Sequence, residues 1–157
     1  MKIQIGITDN HRQAVADVLI KILADENVLY MKTKNAQWNV EGADYYDKQI
    51  FFETQCKQLD KIINSTAERI RSIGHLVPAT LHSHLDLTHL TEQEGKINNS
   101  QTLITELLKD HESLIIKLRE HVMCCTDDFH DIATGHFIIR LIETHQKMAW
   151  FLRSYLL

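Results

Sequence analysis

A chain of 157 residues is long enough for one domain with its own core, and its 5 Gly and 1 Pro leave little material for turns, which favours few, long elements in an all-α domain. The formal net charge of −4 argues against non-specific binding to a polyanion by bulk electrostatics. Cys56, Cys124 and Cys125 are odd in number and lack a Cys-x-x-Cys spacing, so a disulfide framework or thiolate zinc site is not expected and a reducing cytosol is.

The opening "MKIQIGITDNHRQ" has no long apolar run, so neither a signal peptide nor a membrane span is expected. Thr8 or Asp9 suits a helix N-cap. Val15, Val18, Leu19, Ile22, Leu29 and Tyr30 then recur at three- and four-residue steps, which predicts an amphipathic helix to about Ala36, ending before Gly42. A second helix is predicted from about Tyr45 to Ile73, with Phe52, Leu59, Ile62, Ile63, Ile70 and Ile73 as its apolar arc. Gly74 is its natural stop, with Pro78 beyond. Residues 75–100 are less regular. "HSHLDLTHL" reads as one short helix and "EGKINNS" as a loop that ends in an N-cap. A third long helix carries Leu103, Leu107, Leu114 and Leu118, and "CCTDDFHD" breaks it. The fourth, from about Ile132, carries Phe137, Ile138, Leu141, Ile142, Met148, Phe151 and Leu152. Four long helices with one long connection between the second and third predict a ferritin-like four-helix bundle, a single domain over residues 1–157 with a short extra helix in that connection.

A bundle that binds two irons within one chain needs Glu-x-x-His pairs, because i and i+3 project to the same side of a helix. None is present: Glu53 is followed at the third place by Cys56, Glu68 by Arg71, Glu106 by Lys109 and Glu143 by Gln146. What remains is the second helix, where Gln49, Glu53, Asn64 and Glu68 fall within an arc of roughly 100° at 100° per residue. All four are oxygen donors suited to a hard cation if they converge. Lys57, Asp60 and Lys61 share the arc, and a charged helix flank is ordinarily just solvated. The end of the first helix is also unusual, with Trp38 between the amides Gln37 and Asn39 just before the break.

"LADENVLYMKTKNAQWNVEGADYY", then "TAERIRSIG", then "HQKMAWFLRSYL" resemble the Dps family, the mini-ferritins named for DNA-binding protein from starved cells. The match runs in order over nearly the whole chain. The resemblance implies a hollow homododecamer that takes iron in through acidic pores, oxidises it, stores it as mineral and so protects the cell from oxidative stress. In the family the oxidation site lies between two subunits. One supplies a His before the Trp, a second His early in the second helix and an acid four residues later; the other supplies the Asp and Glu of "D-x-x-A-E-R". Carried onto this chain, those positions are Gln37, Gln49, Glu53, Asn64 and Glu68. The Trp wall is kept as Trp38. Three of the five ligands have become amides, and an amide oxygen is a neutral, weak ligand for iron. Glu53 and Glu68 therefore define at most a weak metal site, and residual ferroxidase activity is expected to be low. The same amides also suit a hydrogen-bonded contact between subunits.

The other polar clusters carry less. His75, His82, His84 and His89 read as surface histidines without a metal, and His111, His121 and His145 as hydrogen-bonded core or interface residues. Asp127, Asp128 and Asp131 fall where the family builds its three-fold pore, although position 136, commonly acidic there, is His136. They equally suit an acidic cap on the fourth helix. Some members bind DNA through a Lys-rich tail. Here only Lys2 and Arg12 precede or open the first helix, so no DNA binding is expected. The expectation is a cytoplasmic mini-ferritin shell with a degenerate oxidation centre. The alternative is a structural or interaction shell without iron chemistry.

Overall fold

The computed structural model describes residues 3–92 and 95–157. Lys2 and Glu94, which entered the reading of the tail and of the loop before the third long helix, lie outside the described residues. The elements are α1 (Asp9–Asn39), α2 (Tyr45–Ser72), a short α3 (Leu81–Leu87), α4 (Ser100–Met123) and α5 (Ile132–Ser154).

Each helix starts and stops for a local reason. Thr8 is extended, and its hydroxyl accepts from His11 N–H at 3.3 Å, which caps α1. The helix runs past Ala36 to Asn39, because Val40 N–H still reaches the Ala36 carbonyl at 3.0 Å. Gly42, at φ +126°, then turns the chain. At the far end of α2, His75 N–H bonds the Ile70 carbonyl and Gly74 N–H that of Arg71, a Schellman stop with Gly74 at φ +91°. A Cβ on Gly74 would also lie 2.0 Å from Ile3 Cδ1, so the end of that side chain packs over the glycine. Asn99 caps α4 by accepting from Thr102 N–H at 3.0 Å.

The "CCTDDFHD" segment does not break α4 where expected. Cys124–Asp128 continues it as one π turn, with Phe129 N–H bonded to the Cys124 carbonyl five residues back. The break comes only at His130, at φ +56°. Gly135, at the start of α5, lets the π turn pack close, since a Cβ there would meet Thr126 Cγ2 at 2.4 Å.

The connection between α2 and α4 crosses the length of the bundle. Glu41 N–H bonds the Asn98 carbonyl at 3.0 Å, which places the start of α4 beside the α1–α2 turn. His11 lies 5.5 Å from His130, ring centre to ring centre, which joins the start of α1 to the α4–α5 corner at the opposite end. The helix α4 thus runs parallel to α2, the arrangement that a single long crossover produces.

Leu19, Ile22, Leu29, Phe52, Leu59, Ile70, Leu114, Leu118, Ile138 and Leu152 are fully buried and bring all four long helices into one core. Each such side chain contributes roughly 1.5–3 kcal/mol relative to exposure. Phe151, expected in this core, is 36 % exposed: it turns outward and packs against Trp150 at 4.8 Å. Among the described residues no helix is long and apolar enough to cross a membrane.

Candidate functional site

The residues that the family resemblance implies as iron ligands separate into two groups on the α1–α2 face. Gln37 is near the end of α1 and is almost fully buried, its Oε1 accepting from Lys34 Nζ at 3.0 Å. The same ammonium lies 5.8 Å from the Trp38 ring centre and 5.7 Å from that of Tyr30. Trp38 itself is 66 % exposed, so its indole faces outward instead of joining the core. Gln49 and Glu53 are half-buried near the start of α2. Glu53 pairs with Lys57 at 2.8 Å. That hydrogen bond, then the charge of Lys57, hold the Glu53 carboxyl below its ordinary range, and Lys34 adds to the effect.

Asn64 and Glu68 form the second group, both exposed and further along α2. Asn64 Nδ2 donates to the Asp60 carbonyl at 3.0 Å. Glu53 and Glu68 stand on one continuous helix, and fifteen residues at ~1.5 Å each put them about 22 Å apart. One chain therefore cannot bring its two carboxylates to one ion. Among the described residues no group of three or more His, Cys, Asp or Glu is arranged to hold a metal. The cysteines do not add one: burial pushes the Cys56 thiol up to about 11 and the Cys125 thiol to about 12, so both stay protonated.

The acidic segment is also split. Asp127 and Asp128 are exposed, but Asp131 is only 2 % exposed. Its carboxylate accepts from Thr134 N–H at 2.9 Å, which caps α5, and from Arg69 of α2 at 3.3 and 3.4 Å. Asp131 is thus turned into the fold, away from the solvent-facing pair. The histidines of the connection do not converge either. His82 pairs with Asp86 at 3.1 Å, burial lowers His84, and His89 turns inward to Asp25.

The ferritin-like domain family matches residues 16–157. A low temperature-induced protein of Nostoc sp. is 36% identical over 99% of this chain and 87% of its own. DNA protection during starvation protein 2 of Bacillus anthracis is 28% identical over 90% of this chain and 96% of its own. A crystal structure of a Dps protein from Bacillus brevis superposes with a TM-score of 0.88 at 26% identity, covering 96% of this chain and 100% of the other. The chain is a Dps-family, ferritin-like protein.

The Dps bundle hides a second polar set that the Glu-x-x-His search misses. Glu26 of α1, His111 of α4 and His145 of α5 are all fully buried. Glu26 Oε1 lies 2.8 Å from His145 Nε2, and the two Nδ1 atoms of His145 and His111 are 3.0 Å apart. One Nδ1 must donate and the other accept, so that contact holds a single proton. Burial, then the neighbouring His145, hold His111 well below the ordinary histidine range. Its Nε2 and the second Glu26 oxygen have no hydrogen-bond partner. Spacing within one helix cannot reveal a pair 119 residues apart in sequence. The available signal was that Glu26 stands three and four residues from Ile22, Leu23, Leu29 and Tyr30, in the apolar register of the helix.

Proposed function

We propose that this chain assembles into a closed homo-oligomeric shell, a dodecamer, that binds and stores iron in the cytoplasm and protects against oxidative stress, with little ferroxidase activity of its own. The family relationship supports the shell and the iron. The observation that carries the weak activity is the donor set. Gln37, Gln49 and Asn64 are neutral, and Glu53 already answers an ammonium at 2.8 Å. If Glu53 of one copy meets Glu68 of another, two carboxylates face the four positive charges of two ferrous ions. Lys34 and Lys57 oppose that charge further. Such a set holds iron poorly, because hard cations need anionic oxygen and imidazole at short range. Iron here is substrate and cargo, and the residues present do not fit a tightly held pair.

A second reading follows from the same ion pair. With Lys57 seated on Glu53, the shell serves as a structural or interaction partner without iron chemistry. Aerobic loading with ferrous iron, followed by iron analysis of the intact assembly, separates the two. A mineral-filled shell supports storage; iron no higher than in a bovine serum albumin control supports the structural reading. A monomer in solution overturns both. With a formal net charge of −4, and with Arg12 tied to Asp9 at 3.0 Å, no retention of duplex DNA is expected at moderate salt. A gel shift checks this.

A further inference from the structure

Asp25, His89 and Ser113 come together from α1, from the segment after α3 and from α4. The Asp25 side chain is 3% exposed. Its Oδ2 accepts from His89 Nδ1 at 2.8 Å, and its Oδ1 from the backbone N–H of His89 at 2.9 Å and the Thr88 hydroxyl at 2.7 Å. On the other side of the ring, His89 Nε2 lies 3.0 Å from Ser113 Oγ. A carboxylate only accepts, so its bond places the ring proton on Nδ1 and leaves Nε2 as the acceptor for the serine hydroxyl. A serine is made nucleophilic by these relations: a base in reach of its proton, and a buried acid that fixes the tautomer of the base. The His89 side chain is 27% exposed and Ser113 is half-buried, so the pair lies at the surface of this chain.

We propose that Asp25, His89 and Ser113 form a nucleophilic serine site for small activated carboxylic esters. Ser113 Oγ attacks the ester carbonyl carbon while its proton passes to His89 Nε2. The carbon–oxygen bond to the leaving group breaks, His89 returns the proton to the departing oxygen, and the acyl group stays on Ser113. Water then attacks the acyl-serine, giving its proton to His89, and the acid leaves as Oγ takes that proton back. Inside α4 the Ser113 N–H is committed to the helix ladder, so side chains must meet the developing oxyanion. Lys117 stands one turn on along α4, with its ammonium held by Glu120 at 2.9 Å.

The same bonds also fasten the crossover segment to α1 and α4, so the test must separate reactivity from anchoring. The assembled protein is treated with p-nitrophenyl acetate and, separately, with a fluorophosphonate probe, and adducts are located by peptide mass mapping. The site predicts an adduct at Ser113 that Ser113→Ala abolishes. His89→Gln slows Ser113 modification about 10²-fold, the scale of general-base catalysis. In the unsubstituted protein the labelling rate rises as an imidazole deprotonates and then levels off, a readout that survives if His89→Gln fails to fold. An unmodified Ser113, the same rate in His89→Gln, or a rate that climbs steadily with hydroxide overturns the proposal and leaves a tether alone.

Discussion

Two polar regions of this bundle hold opposite chemistry. The outer α1–α2 face, where the family oxidises iron, carries amides and ammonium groups around Glu53. The interior carries the imidazoles that the outer face lacks, joined to a buried carboxylate in the chain Glu26–His145–His111. The interior set converges within one chain, although Glu26 Oε2 and His111 Nε2 are left without a partner. The outer set is incomplete within one chain, because about 22 Å of α2 separates Glu53 from Glu68. Donor type alone therefore does not make a metal site. Convergence and access decide, and the fully buried trio has no access.

The comparison is sharpened first by restoring donors. Gln37→His, Gln49→His and Asn64→Asp together should raise the initial rate of ferrous oxidation by about 10–100-fold, the scale on which ligand environments change metal-site activity. Oxygen uptake is the measurement, and no gain would mean that the amides are not what limits the site. Next comes the interior. Glu26→Ala leaves His145 buried without its partner and should cost about 3 kcal/mol in urea unfolding. Asn64→Ala, on the exposed face, should stay within about 0.5 kcal/mol. Equal losses from the two would erase the distinction between the regions.

Acid should act on the interior as well. His111 titrates below its ordinary range when folded, so the unfolded chain binds the extra proton first. Stability from this source is complete above about pH 6.5 and falls by up to ~1.4 kcal/mol per pH unit below it. Burial shifts His84 and His121 in the same direction. Urea melts at several pH values check the slope, which His111→Phe should reduce. The smallest effect belongs to Lys57→Ala. An exposed helix pair is worth about 0.5 kcal/mol or less, so this change should free Glu53 with almost no loss of stability.

The helices were legible because an apolar side chain every three or four residues is dictated by burial, as Leu103, Leu107, Leu114 and Leu118 show. Gly74 was legible because a left-handed stop needs it. The π turn was not: a bond to the residue five back leaves no compositional trace in "CCTDD". Nor was the burial of Asp131, since its partner Arg69 lies 62 residues away. The ligand positions came from family resemblance. Spacing on α2 alone could not tell Glu53 from its solvated neighbours; it put Lys57 on the same arc, but gave no hint that Lys34 of α1 attends it too.

The most direct measurement is oxygen uptake by the purified assembly after anaerobic addition of ferrous iron, titrated from below to above two ions per Glu53–Glu68 site. A slow, unsaturable trace close to that of iron in buffer is the predicted result. A rapid phase that saturates at two ions would show that carboxamides and lysines suffice for the chemistry, contradicting the account.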